Sequence, residues 1–474
     1  MMIFFLCVAA LVVGYFTYGT LVDRLFQPDG DRTTPAMCMA DGVDYVPMSK
    51  GKIFLIQLLN IAGLGPVFGP ILGALYGPSA LIWIVVGTLV AGGVHDYFSG
   101  MLSLRYKGES IPDVVGYNLG GGFKQFMRLF SLILLLLVGV VFVLGPAKLL
   151  AKLSGVEVGL WVMAIFAYYF LATILPIDKI IGRLYPFFGA ILIFMAIAMP
   201  TALMAQNYDM LPNLSLANQH PAGLPLWPLM FITIACGAIS GFHSTQSPMM
   251  SRCMCSEREG KFIFYGAMVA EGFIGLVWAT VGMSFYQSPE ALNAVLTAGG
   301  PAKVVSEACT TLLGGFGGVL AILGVVVLPI TTGDTAFRAS RLLIADFAQY
   351  SQKEPMKRLF IAVPLFVAGF GLSLVNFDVL WRYMGWANQS LAAIVLWTAS
   401  AYCIKRGKNH WLTTAPAVFM TVVTNTYLCN AAIGFNLPMN IATPVGAASG
   451  VAALACFLYG FRPARIAKMT PDNA

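Results

Sequence analysis

Runs of about 20 apolar residues, the length that carries a helix across hydrocarbon, recur along the whole chain with short polar stretches between them. The pattern predicts about thirteen membrane spans, over 3–22, 53–76, 79–104, 126–150, 157–175, 184–204, 226–251, 261–286, 316–345, 357–376, 382–403, 411–430 and 441–461. An odd number of spans puts the two termini on opposite sides of the membrane. Two spans are interrupted by Gly and Pro: 60–70 reads NIAGLGPVFGP and 235–248 reads ACGAISGFHSTQSP. A helix broken at bilayer depth leaves N–H and C=O groups that hydrocarbon cannot satisfy, so each break must line a protein-buried cavity or hold a solute. Paired breaks at corresponding places in two halves point to a secondary transporter.

The order of elements repeats even though the residues do not. From 53 to 204 it runs broken helix, span, an amphipathic stretch near 109–123, then three spans; from 226 to 403 the same order returns, with its amphipathic stretch near 288–312. Each unit holds five spans, so the second enters from the opposite face. The expected fold is an all-α polytopic membrane protein with the inverted five-plus-five repeat of the leucine-transporter (LeuT) type. One helix at 3–22 precedes the repeats and two over 411–461 follow them, all within a single domain of 474 residues.

Composition agrees: hydrophobic residues make up 58% of the chain, charged residues 10%, and mean hydropathy is +0.79, against about 25% charged residues in soluble domains. The first span has no basic flank before it and no small-residue cleavage pattern, so it reads as a retained helix. Lys and Arg are retained in cytoplasmic loops. With the N-terminus outside, 24 of the 28 basic residues fall on the cytoplasmic side, leaving Lys148, Lys152, Lys303 and Arg382 outside. That asymmetry accounts for the net charge of +7 without a nucleic-acid partner. Nine scattered Cys form no zinc or disulfide spacing. The loop 206–225 and the short polar tail after Arg462 leave no room for a soluble catalytic or regulatory domain.

The breaks hold the candidate substrate site. In the first, Gly63, Gly65 and Gly69 allow close backbone approach and Pro66 and Pro70 withhold N–H donors; Asn60 lies just before them. Carbonyls freed near Ala62 and Gly63 can face a cation, and the following half-helix offers N–H groups to a carboxylate. In the second, Ser240, Gly241, His243, Ser244 and Gln246 gather polar groups, and His243 can couple movement to a proton. Asn388 and Gln389 place amides at similar depth, for substrate or for joining helices. Glu271, mid-span with no basic residue within a turn of its own helix, and Asp334, four residues before Arg338, are candidate ion-coupling groups. Thr331 and Thr332 are expected to pack against the first break, where their hydroxyls could join carbonyls around Na⁺. His95 and Asp96, expected at the cytoplasmic end of their span, are candidates for a gate together with Arg338. Protons and Na⁺ both remain as coupling ions, and neither a resident cofactor nor a metal is expected.

These segments, with 92–98 (GGVHDYF), 237–244 (GAISGFHS), Asp334 with Arg338 and Arg341, and 385–389 (GWANQ), resemble the carbon starvation protein A family over residues 50–400. The resemblance implies membership of the amino acid, polyamine and cation superfamily. It further implies proton-linked uptake of short peptides or a small carboxylate such as pyruvate across the bacterial inner membrane during nutrient limitation. The N-terminus would then be periplasmic and the C-terminus cytoplasmic. Two other classes compete. A channel or a nutrient sensor would bind or pass solute without accumulating it. An aspartyl protease reading of Thr331-Thr-Gly-Asp334 fails for want of a second mid-span aspartate to share its proton.

Overall fold

The computed structural model describes residues 2–461 apart from 43, 175, 176 and 353. The basic tail residues Arg462, Arg465 and Lys468 lie outside the described residues, as do Lys353 and the side chains of Lys152, Lys179 and Arg183. The described chain is helical with no strand.

The helices α1 (Met2–Phe16) and α2 (Tyr18–Phe26) form one apolar span with a turn at Thr17, and the short α3 (Pro35–Cys38) follows. The first break separates α4 (Lys50–Ile61) from α5 (Gly65–Gly73), across which the chain bends by 50°. Pro66 sits in the first turn of α5, where a missing N–H costs nothing. Next, α6 (Ser79–Val86) passes through a π turn, Gly87–Gly92, into α7 (Gly93–Arg105). The amphipathic α8 (Ile111–Leu119) leads to three long helices, α9 (Gly121–Ser154), α10 (Val158–Ile174) and α11 (Ile177–Ala205).

The second half begins with α12 (Leu229–Thr233), the second break over 234–241, and α13 (Phe242–Ser251). Then come α14 (Gly266–Tyr286) and α15 (Pro289–Ile322), which kinks at Gly300 and Gly314. The remaining helices are α16 (Leu328–Ala348), α17 (Pro355–Leu372), α18 (Phe377–Lys405), α19 (Trp411–Asn430) and α20 (Met439–Gly460).

Seven of the described helices are long and apolar enough to cross a membrane, and the bent pair at the first break makes an eighth. The other expected spans are helical where anticipated but shorter, broken or more polar: α16, for example, carries Thr331, Thr332, Asp334, Arg338 and Arg341 along one length of chain. Such residues are tolerated because α16 is buried against α9, α4 and α17. Around the breaks, α5 packs on α14, and α13 packs between α4, α7 and α18.

One end of the bundle is tied by an ionic cluster. Arg105 at the close of α7 meets Glu257 at 3.1 Å, donates to the Gln27 carbonyl at 2.7 Å, bonds the Tyr402 hydroxyl and lies 4.0 Å from the centre of the Phe26 ring. Arg32 reaches the same carboxylate at 3.5 Å, and the Asp29 N–H donates to it at 2.7 Å.

Candidate functional site

The breaks touch each other. A Cβ on Gly65 would collide with the side chain of Cys236, and one on Gly69 would come within 2.9 Å of the Thr233 carbonyl, so these glycines are what lets the two interrupted helices meet. Gly237 turns the chain at φ +88°, a conformation costly for residues with a Cβ.

The second break was expected to leave backbone groups free; the structure satisfies them with side chains from three neighbouring helices. Trp83 Nε1 donates to the Ile234 carbonyl at 3.2 Å and Thr88 Oγ1 to the Gly237 carbonyl at 2.9 Å. Thr88 lies in the π turn, a local widening common at functional sites. Gln389 Nε2 donates to the Ile239 carbonyl at 3.2 Å and the Phe231 carbonyl at 3.4 Å. Asn388 Oδ1 accepts from the Phe242 N–H at 2.6 Å, and its backbone carbonyl from the Gly241 N–H at 3.2 Å. Asn388 and Gln389 therefore close on the interrupted backbone, which explains amides at this depth. Ser240 joins Asn388 at 3.0 Å, and Ser244 Oγ returns to the Gly241 carbonyl at 2.7 Å.

His243 was placed within the break, and that expectation changes; Glu271 has no basic residue within a turn of its own helix, and its neighbour comes from another helix. His243 begins the first turn of α13, just past the break, and its Nε2 lies 3.3 Å from Glu271 Oε2 across the α13–α14 contact. The other oxygen of Glu271 accepts the Gly237 N–H at 3.2 Å. His243 Nδ1 stands 2.9 Å from Asp96 Oδ2, and His95 Nδ1 stands 2.8 Å from Asp96 Oδ1. His95 and Asp96 were expected at the end of their span, but α7 continues to Arg105, and all four side chains are 0% exposed. Burial of two carboxylates is possible because imidazole hydrogens face them.

The order of contacts limits the proton inventory. If Asp96 is ionised it only accepts, and both imidazoles then present Nδ1–H to it. Nε2 of His243 then faces Glu271 either as a second N–H or as a lone pair. A lone pair opposite an ionised carboxylate oxygen repels, so a proton on His243 Nε2 or on Glu271 would relieve the contact. The array can therefore hold a proton directly behind the break.

Several polar atoms remain buried without a partner: Asn60 Oδ1, Gln246 Oε1, and both amide atoms of Gln57. Asn60 and Gln57 are three residues apart on one side of α4, which packs on α13, the helix that carries Gln246. Gln57 escaped the sequence reading; its signal was a second amide, one turn before Asn60, inside the otherwise apolar run from Ile53 to Ile61. Of the other expected residues, Thr332 Oγ1 reaches the Leu59 carbonyl at 3.4 Å, bringing α16 to the first break, whereas Thr331 Oγ1 bonds Leu328 of its own helix at 2.7 Å. Asp334 pairs with Arg338 at 3.3 Å and takes no part in the imidazole array. Gly63 backs onto Phe142 and Thr332, and Pro66 lies beside Gly237.

Against known proteins, the family model described as carbon starvation protein CstA matches residues 1–158, 144–312 and 287–427. An uncharacterized membrane protein of Haemophilus influenzae is 47% identical over 352 residues, 63% of this chain and 95% of that protein. The peptide transporter CstA of Campylobacter jejuni is 27% identical over 557 residues, covering 89% of this chain and 79% of its own. The pyruvate/proton symporter BtsT of Escherichia coli is 27% identical over 338 residues, 57% of this chain and 47% of its own. Among solved structures, Mhp1, a nucleobase-cation-symport-1 family transporter in a closed conformation, aligns over 90% of this chain and 98% of its own with TM-score 0.52 and 15% identity. That likeness shows a shared all-α fold.

Proposed function

We propose that this chain, which belongs to the carbon starvation protein CstA family, is a proton-coupled secondary transporter that imports a small carboxylate or a short peptide. The observation that carries the reading is the buried line of Asp96, His243 and Glu271 ending on the Gly237 N–H of the second break. Protonation of Glu271 weakens its hold on that N–H, so the proton inventory and the geometry of the break are coupled through one carboxylate. Substrate would sit between the breaks, read by Asn60, Gln57 and Gln246 together with Gly63, Gly65, Ser240 and Gly241. The names of the relatives support the two substrate classes.

The finer topology belongs to the same proposal. Thirteen spans form two inverted units, 53–204 and 226–403, flanked by one N-terminal and two C-terminal helices within one domain. The basic loops support a periplasmic N-terminus and a cytoplasmic C-terminus in a bacterial inner membrane. His95 extends the proton line, and alternating access comes from rocking of the paired broken helices. Sodium is the second reading of the coupling ion, favoured by the approach of the Thr332 hydroxyl to the Leu59 carbonyl.

The test is uptake of labelled pyruvate and labelled dialanine into proteoliposomes under a proton gradient, a sodium gradient or none. Accumulation that needs the proton gradient supports the proposal. Accumulation under sodium alone selects the second reading, and flux that only equilibrates makes the protein a channel.

A further inference from the structure

The second break brings together three side chains of metal-binding type that lie apart in the sequence. Cys236 in the break, His243 on α13 and Glu271 on α14 can each offer one ligand atom, and these atoms lie within 4.8 Å of one another. His243 Nε2 and Glu271 Oε2 are both buried with no hydrogen-bond partner, although they stand only 3.3 Å apart. Cys236 Sγ makes long contacts, to Ser240 Oγ at 3.5 Å and Asn388 Nδ2 at 3.9 Å, and bears on the His243 ring. Cys236 is the partly exposed member of the three and lies against Gly65, so the group is approached from the side on which the two breaks meet.

Zinc bonds of about 2.0–2.1 Å to nitrogen and oxygen, at the tetrahedral angle, set those two ligand atoms about 3.3 Å apart. His243 Nε2 and Glu271 Oε2 have that spacing. The outer contacts fit as well. A metal-bound imidazole commonly gives its other N–H to a carboxylate, and His243 Nδ1 stands 2.9 Å from Asp96 Oδ2. A ligating carboxylate is commonly held by a hydrogen bond of its own, and the Gly237 N–H donates one to Glu271 Oε1 at 3.2 Å. Mixed sulfur, nitrogen and oxygen ligands suit zinc and cadmium, whereas magnesium and calcium need oxygen.

We propose that Cys236, His243 and Glu271 bind a soft divalent cation of the zinc class, with water in the fourth position. On binding, the thiol proton passes to solvent, together with any proton between His243 and Glu271. A thiolate and a carboxylate then balance the charge of the cation, which lets it be buried. The cation would tie the break to α13 and α14 and take the place of the coupling proton, so it should block uptake. That consequence rests on the transporter reading; the site does not.

Cd²⁺ added to the full chain in detergent tests the site without any transport, because a bond between Cd²⁺ and a thiolate gives an ultraviolet charge-transfer band. The expected result is that the wild type binds one more Cd²⁺ than Cys236→Ser, that Zn²⁺ displaces this ion, and that its affinity falls at least 10-fold in the isosteric variant Glu271→Gln. If Cys236→Ser does not fold, Cys236→Ala serves, with the same expectation. An equal band with and without Cys236, or an affinity untouched by Glu271→Gln, overturns the inference and puts the cation on other thiols. In proteoliposomes, Zn²⁺ should slow wild-type uptake at least 10-fold, with recovery on adding EDTA; uptake unslowed at a Zn²⁺ concentration that displaces Cd²⁺ overturns the block. Binding as expected in a protein that accumulates nothing keeps the site and removes the transporter reading. Proton-driven accumulation without Cys236-dependent binding removes the site and leaves that reading standing.

Discussion

Two clusters of buried charge lie on different helices, and they are built to opposite rules. Around the second break, two carboxylates share two imidazoles, groups whose charge can change by moving a proton. Along α16, Asp334 is paired with Arg338 at 3.3 Å, and guanidinium charge is fixed. The first cluster can adjust itself by exchanging a proton; the second cannot. A buried network of adjustable groups suits coupling, and one of fixed charge suits holding helices together.

The contrast predicts unequal consequences of mutation. Asp96→Asn should have the largest effect, since Asp96 accepts from both His95 and His243: loss of uphill accumulation together with a stability loss of about 3–5 kcal/mol, the usual cost of breaking a buried pair. Uptake assays and thermal unfolding of the same preparation measure both. Glu271→Gln keeps an oxygen for the Gly237 N–H but cannot take up a proton, so accumulation should fall at least 10-fold while the protein stays folded. Asp334→Asn sharpens the comparison. It should slow uptake but preserve accumulation, because Asp334 lies outside the imidazole line; equal uncoupling in Glu271→Gln and Asp334→Asn would erase the distinction between the clusters.

Smaller effects should follow from the supports of the break. Gln389→Leu leaves the Ile239 carbonyl without its donor and should cost about 1–3 kcal/mol in unfolding, with uptake reduced in proportion. The smallest effect lies between the spans, at Asp113. Burial tends to raise its carboxyl pKa, but hydrogen bonds from Lys124 and Ser110 and the charges of Lys124 and Arg128 outweigh this and hold it below the ordinary value. A depressed folded-state pKa stabilises above the unfolded pKa and is lost as pH falls through the folded one. Asp113→Asn should therefore lower the unfolding temperature at neutral pH, and the gap from wild type should close as pH falls below the ordinary carboxylate range.

The breaks and the positions of the long helices were legible because apolar length and Gly/Pro interruption are local signals. The chemistry was legible only residue by residue. Glu271 stood out as a charge in mid-span, His243 as a titratable group in a polar break and Asp96 as a helix-end carboxylate, but their partnership crosses 28 residues in one case and 147 in another, and no periodicity encodes such contacts. His95 and Asp96 read as a helix end because polar residues cluster there, whereas α7 carries them into the core. Asn388 and Gln389 left substrate contact and helix joining both open; the unpaired backbone at 231–242 gives their amides a structural task. Gln57 went unnoticed since an amide in an apolar helix breaks no pattern, and its unpartnered burial beside Asn60 is what gives it interest.

The central claim is that a proton held by Glu271 and His243 travels with substrate. Proteoliposomes enclosing a pH-sensitive dye, with wild-type protein or Glu271→Gln, test it when pyruvate or dialanine is added outside. The account predicts substrate-dependent acidification of the lumen with the wild type and none with Glu271→Gln. Labelled substrate entering the wild-type vesicles with no change of internal pH, or acidification undiminished in Glu271→Gln, would contradict it.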